Sequence, residues 1–400
     1  MLRAVREVVF VHCKMIWKVL GVFVMFCLTC QGADSAWQDP GRSDYINLPV
    51  FFVTDRRVNV DVGKKKYSYG KQVLSGEGTL DSVLTLGIEQ HRTYCPRQKP
   101  AWLPAFDLDI FGSEDSFFEQ GLKWRTFRGL VHGRLYGWSQ KADFYRHLEN
   151  VLDRCPRKEV VIFVHGCCVD HGKAAIQAVN IQKWYRRPVL LYDWGTDSKN
   201  YYQSLVSYPR TQDRFGEFIK DLKSRLGEVR LTVVAYSVGA NILKDFCQRL
   251  DQDVSGVFDD VILLRADTHI AELEKALPDI ARQSKNPVQV WVSGNDSQML
   301  ASRLLRVVTI LPRSIISVRG RRAGDTKAWL ESESIEPDRF NRVQILDVSE
   351  LGLGHRIPFR LLPLLARQPL KEGDIGGFSL VRPDVDEVGK LEVLYAVPRD

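Results

Sequence analysis

One serine in this chain is placed to act as a nucleophile. Leu231-Thr-Val-Val-Ala-Tyr236 is an apolar, β-branched run; Ser237 follows it, then Val238 and Gly239. Beyond them Ile242, Leu243, Phe246, Cys247 and Leu250 recur at helical spacing. The pattern puts Ser237 on a sharp turn between a buried strand and a helix. Such a turn lifts the hydroxyl clear of a sheet and aims the first helical N–H groups at whatever the serine attacks. A serine hydroxyl is a weak nucleophile at neutral pH. It needs a base with a pKa of about 7, a role that suits histidine, and the histidine needs a carboxylate to fix its tautomer. His355, in Leu351-Gly-Leu-Gly-His355, is the expected base, with His269 its competitor. Asp296 is the expected acid and Asp267 the alternative. Oxyanion donors are expected from the backbone N–H of Val238, next after the nucleophile, and of Cys167, in the loop His165-Gly-Cys-Cys168. His165 is read as shaping that loop, Asp193 as a cap and Asp347 as structural. The competing reading of the whole set is a tight strand–helix turn without chemistry.

These groups share a position, because each follows an apolar run. Val160–Val164 ends at His165, Val189–Tyr192 at Asp193, Val261–Leu264 just before Asp267, Val288–Val292 just before Asp296, and Val343–Val348 before His355. Helical patterns separate the runs: Ala174, Ala178, Ile181 and Tyr185; then Phe215, Phe218, Ile219 and Leu222, in a stretch expected to break at Pro209 and end near Leu226; then one ending near Ala281; and one over Met299–Ile310. Alternation over roughly 200 residues predicts an α/β architecture, a mostly parallel central sheet with helices on both faces and its chemistry at the carboxyl ends of the strands. The order Ser, Asp, His is the one used by the α/β-hydrolase fold. Ahead of this core, strands are expected at Leu48–Arg57 and Ser82–Ile88, the second with a bulge at Gly87, and a turn at Tyr67–Gly70. Residues 93–140 are rich in proline and aromatics and are expected to pack irregularly on the core, before a helix at Ala142–Leu152. The chain thus divides into 37–155, the N-terminal strands and that excursion; 156–370, the core; and 371–400, a tail whose apolar run Leu391–Val397 reads as an edge strand or docking segment.

Composition excludes several classes. With 44% hydrophobic and 26% charged residues the chain is neither disordered nor fibrous. Its net charge of +7 is spread out, with no arginine-rich arm, zinc-finger spacing or RNA-binding aromatic signature, so no nucleic acid partner is expected. Neither a phosphate-binding loop nor a dinucleotide fingerprint occurs, and no cofactor is expected. In residues 1–36, Arg3, Arg6, Lys14 and Lys18 precede the apolar run Val19–Cys30 and the small, polar stretch Gln31–Ala36. That is the pattern of a secretory signal peptide, starting at Met1 or Met15, or of an anchor if it is not cleaved. It implies a secreted, periplasmic or cell-envelope location, with membrane association through this segment. Lipidation of Cys30 fits poorly with Cys27-Leu-Thr before it. Five cysteines lie beyond the leader: Cys95, Cys155, Cys167, Cys168 and Cys247. An odd number spread over a large domain is no disulfide framework, although Cys95 and Cys155 could pair, and no spacing suggests a metal. The basic stretch Arg319–Asp325 reads as a solvated loop.

Several blocks in order resemble a known family. Val50-Phe-Phe-Val-Thr-Asp-Arg56, Phe163-Val-His-Gly166, Ala235-Tyr-Ser-Val-Gly-Ala-Asn241, Val292-Ser-Gly-Asn-Asp296, Leu346-Asp-Val-Ser349 and Leu353-Gly-His355 are similar to the bacterial α/β-hydrolase family DUF900, over about residues 47–366. The resemblance implies an α/β-hydrolase fold, with Ser237 and His355 as nucleophile and base and Asp296 as acid. The chain departs from the family pattern at Tyr236 and Val238, where His and Met are usual, and at Cys167-Cys168, where a Phe-Asn type pair is usual. The expected activity is that of a serine hydrolase acting on a small-molecule or lipid carboxylic ester through an acyl-enzyme. An amidase, thioesterase or acyltransferase would use the same residues; a catalytically inert binding or envelope protein is the alternative class.

Overall fold

The computed structural model describes residues 45–61, 66–73, 84–94, 122–126, 129–136, 140–155, 157–196, 201–296, 299, 322–326, 329, 341–353, 355–359, 361–362, 371, 373–375, 378–381 and 393–398. The leader, Cys95, most of the aromatic excursion and the helix expected after Met299 lie outside those residues. Strands β1 (Tyr45–Thr54), β2 (Arg56–Asp61), β3 (Lys66–Val73), β4 (Thr85–Tyr94), β5 (Leu122–Thr126) and β6 (Gly129–Tyr136) precede helix α1 (Lys141–Leu152). Strand and helix then alternate: β7 (Glu159–Val164), α2 (His171–Tyr185), β8 (Val189–Asp193), α3 (Tyr201–Leu226), β9 (Arg230–Tyr236), α4 (Gly239–Arg249), β10 (Asp260–Leu264), α5 (Ile270–Gln283) and β11 (Val288–Val292). After β12 (Val343–Asp347) come β13 (Gly373–Ile375), β14 (Phe378–Val381) and β15 (Val393–Pro398).

Thirteen of these strands form one sheet, in the order β13-β14-β15-β12-β11-β10-β9-β7-β8-β1-β4-β6-β5. The eight from β15 to β1 run parallel, and the strands outside them on both sides are antiparallel. The apolar runs become β7, β8, β10 and β11, each buried at every residue, as expected of parallel strands covered on both faces. From β7 the chain steps one way to β8, then reverses across β7 to β9, β10 and β11. With right-handed crossovers this places α2 on one face and α3, α4 and α5 on the other. Consistently, α3 packs on α4 and α4 on α5, while α2 packs on β8 and β1. The reversal separates the carboxyl ends of β7 and β9, the switch point at which such sheets place their sites.

Local structure departs from the sequence reading at several places. Within residues 93–140, expected to be irregular, the chain forms β5 and β6, and in the stretch Arg319–Asp325, expected to be a solvated loop, Arg322 and Ala323 are fully buried. Tyr67–Gly70 is not a turn but lies within β3, where Tyr67 and Tyr69 pair with Val60 and Val58 of β2. Gly87 makes no bulge: it pairs directly opposite Phe52, and a Cβ there would stand 2.0 Å from the Phe52 ring, so the glycine makes room for that ring. Pro209 does not break α3, which runs through it; burial of Leu205, Phe215, Phe218 and Leu222 outweighs the penalty of about 3 kcal/mol for an interior proline. The tail run is no edge strand, because β15 lies between β12 and β14. Among the described residues Cys155, Cys167, Cys168 and Cys247 are free thiols; Cys95, the partner considered for Cys155, lies outside the described residues. No helix among the described residues is long and apolar enough to cross a membrane.

Candidate active site

Ser237 follows the last residue of β9 with φ at 54°, in the left-handed region that a non-glycine residue enters at a cost of about 1–2 kcal/mol. Its backbone is fixed from three directions. The N–H donates to the Leu264 carbonyl at 2.9 Å, and its own carbonyl accepts from Ala240 and Asp267, each at 3.1 Å. Two glycines let neighbouring backbone close around it. A Cβ on Gly239 would lie 2.4 Å from the His165 carbonyl oxygen, and one on Gly166 would lie 2.9 Å from the Ser237 Cβ. The Ser-x-Gly and His-Gly pairs of the sequence are therefore one steric unit: α4 starts against the end of β7, and the loop after β7 lies against the serine. That loop carries Cys167, and Val238 follows the serine in the chain.

The structure brings Ser237, His355 and Asp296 into one row. His355 Nε2 lies 3.1 Å from Ser237 Oγ, and His355 Nδ1 lies 2.6 Å from Asp296 Oδ2. Asp296 sits on the turn after β11, and its other oxygen accepts the N–H of Met299 at 3.2 Å. Burial pushes its carboxyl up, but His355 beside it, Arg265 and the Met299 N–H outweigh burial and hold it below the ordinary carboxylate range. Asp296 is thus an anion at neutral pH, able to receive the His355 proton on Nδ1.

The other candidates lie elsewhere. Asp267 accepts the Tyr201 hydroxyl and lies 3.3 Å from Arg322 Nε; its part in the site is its backbone N–H on Ser237. His269 caps α5, its Nδ1 accepting the Ala271 N–H at 3.3 Å. Asp347 accepts Thr326 Oγ1 at 2.7 Å and the Ser349 N–H at 2.7 Å, which ties down the turn leading to His355. Asp193 is no helix cap. It is fully buried and binds Arg56 Nε at 2.8 Å, His165 Nε2 at 3.2 Å and His171 Nδ1 at 2.7 Å. His165 also meets the Gly166 carbonyl at 2.7 Å. Burial holds its pKa below the usual histidine range against Asp193, so at neutral pH the ring carries one N–H and donates to one of these two acceptors.

Two residues of the site had no role assigned from the sequence. Tyr236, one of the departures from the family pattern, donates its hydroxyl to the His355 carbonyl, and its ring lies 5.1 Å from the imidazole. A strand residue next to the nucleophile thereby tethers a loop more than a hundred residues away. Arg265, at the end of β10, has φ at 46° and 1% exposure, and none of its three guanidinium nitrogens has a hydrogen-bond partner among the described residues. Burial lowers its pKa, opposed by Asp296, Tyr236 and Asp347 around it. Among the described residues no group of His, Cys, Asp or Glu could hold a metal ion.

An activated serine, an ionised carboxylate and a histidine between them can perform acyl transfer. A search of curated proteins finds no match to this chain. The family described as alpha/beta hydrolase of unknown function (DUF900) matches residues 140–350, more than half of the 400, and the chain belongs to that family.

Proposed function

We propose that this protein is a serine hydrolase of carboxylic esters. The observation that carries the reading is the hydrogen-bonded row Ser237–His355–Asp296, with Ser237 held at positive φ where β9 meets α4. Ser237 Oγ attacks the acyl carbon while His355 Nε2 takes its proton. Asp296 fixes the imidazole with its proton on Nδ1 and stabilises the cation that forms. The N–H groups of Val238 and Cys167 receive the oxyanion. His355 then protonates the leaving alcohol, and water, activated by the same histidine, releases the acid and restores Ser237. The residues suffice without a cofactor. The substrate is a small-molecule or lipid ester, and the site of action is outside the cytoplasm or at the cell envelope, reached through the 1–36 leader.

A fluorophosphonate probe tests this directly. The folded protein is expected to be labelled at Ser237, and Ser237→Ala to abolish labelling and lower ester turnover by on the order of 10⁴–10⁶. A folded protein that takes no label would overturn the reading in favour of an inert scaffold. Matched ester, amide and thioester substrates, with water or an alcohol as acceptor, separate esterase from amidase, thioesterase and acyltransferase.

A further inference from the structure

Behind the loop after β7 lies a buried chain of charged groups that the acyl-transfer steps do not use. Asp193, at the end of β8, sits in its middle. His171, the first residue of α2, donates from Nδ1 to Asp193 at 2.7 Å and from Nε2 to Glu89 of β4 at 2.8 Å. His91 Nε2 meets the other Glu89 oxygen at 3.0 Å. On the far side Arg56 binds Asp193 through Nε, and its Nη1 and Nη2 donate to the Thr196 and Val169 carbonyls at 2.9 and 3.1 Å. Three threads reach the segment 165–171: His165, with its contact to the Gly166 carbonyl, at its start, the Val169 carbonyl in its middle and His171 at its end. That segment includes Cys167, the proposed oxyanion donor.

Resting on the serine-hydrolase reading, we propose that His171 is a positioning residue: by bridging Asp193 and Glu89 it clamps the 165–171 loop in the geometry that oxyanion stabilisation needs, so that β1 and β4, which precede the family-matched segment, are part of the working site. The charge pattern fits a clamp. Both partners of His171 are carboxylates, so only the doubly protonated ring satisfies both. Burial opposes that cation, but Glu89 and Asp193 outweigh burial and raise the His171 pKa to about 9. Burial also pushes the two carboxyls up, and Arg56 with His171 on Asp193, and His171 with His91 on Glu89, hold both below the usual range. From β1 the Phe52 ring packs edge-to-face with the His171 ring, centroids 4.9 Å apart; on its own helix, Asp170 caps the backbone N–H of Lys173. Two anions, one guanidinium and one imidazolium balance. When the imidazolium loses its proton, one carboxylate loses its donor and faces a ring lone pair instead, and the clamp loosens.

The test uses the full chain and the second-order rate of fluorophosphonate labelling from pH 6 to 10.5. The wild-type rate is expected to fall as pH rises through about 9. His171→Gln is expected to lower the rate at pH 7.5 by on the order of 10–100-fold and to remove the alkaline fall, as expected when a reacting geometry is displaced by a fraction of an ångström to an ångström. Glu89→Gln, which keeps the shape and removes a charge, is expected to move the fall to lower pH. Folded variants with wild-type rate and an unchanged alkaline limb overturn the clamp. Should His171→Gln fail to fold, NMR titration of His171 in full-length Ser237→Ala decides: a ring still doubly protonated at pH 7.5 supports the clamp, and a neutral ring overturns it. That measurement needs no catalysis, so failure of the clamp is distinct from failure of wild-type labelling, which overturns the hydrolase reading itself.

Discussion

Asp296 Oδ2 lies 2.6 Å from His355 Nδ1, and His355 and Arg265 overcome burial to hold its carboxyl below the ordinary range. In the proposed mechanism its negative charge therefore fixes the tautomer that leaves Nε2 free to take the serine proton. Asp296→Asn keeps the shape and removes that charge. The labelling rate is expected to fall by on the order of 10³–10⁴, with thermal stability little changed. Near-normal labelling of Asp296→Asn would sink the role given to Asp296 and turn attention to Asp267. At this scale the sequence was readable where a residue's neighbours in the chain define its task. Ser237 follows a strand and precedes Val238-Gly239, and His355 and Asp296 each follow a buried run. Tyr236, Arg265 and Asp193 were not readable, because their work is done across the sheet. The Tyr236 hydroxyl reaches the His355 carbonyl, the Arg265 guanidinium sits among Asp296, Tyr236 and Asp347, and Asp193 gathers partners from β2, the loop after β7 and α2. Nothing local in a sequence encodes such contacts.

The β9–α4 unit imposes its own constraint one scale up. A Cβ on Gly239 would stand 2.4 Å from the His165 carbonyl oxygen and 2.7 Å from that of Val164, and both are backbone that cannot swing aside. Gly239→Ala must push α4 off the end of β7. The expected cost is about 1–3 kcal/mol of stability, read by chemical denaturation, together with slower labelling as Ser237 shifts against His355. A Gly239→Ala protein of unchanged stability and labelling would mean that α4 does not pack so closely. The strand–helix core was legible because its elements carry their own periodicity: β7, β8, β10 and β11 are unbroken apolar runs, and α2, α3 and α4 repeat apolar residues at helical spacing. Elements that exist through a partner were misread. Tyr67–Gly70 becomes strand because β2 offers a ladder, α3 holds its path at Pro209 because its buried face is anchored on both sides, and β15 is internal because β14 covers its outer edge.

For the whole molecule, the question is whether residues 140–350 could stand alone. β1 is hydrogen-bonded to β8 in parallel register, Phe51 opposite Leu190 through Thr54 opposite Asp193, and it separates the parallel core from β4, β6 and β5. Leu48, Val50, Phe51, Phe52 and Val53 are fully buried. At about 1.5–3 kcal/mol each, their burial contributes about 7–15 kcal/mol, the size of an entire folding free energy. Deleting residues 1–139 would also strip Arg56 from Asp193 and Glu89 from His171, leaving each with one charged partner fewer, a further penalty unless water enters. It would expose the apolar edge of β8 as well, a template for pairing with other chains. A chain starting at residue 140 is therefore expected to aggregate or to stay unfolded by circular dichroism and to take no fluorophosphonate label, whereas a chain lacking only residues 1–36 is expected to fold and be labelled as the full chain is. A soluble, labelled 140–400 fragment would show that the N-terminal strands are dispensable, and would remove both the stability argument and the clamp from this part of the molecule.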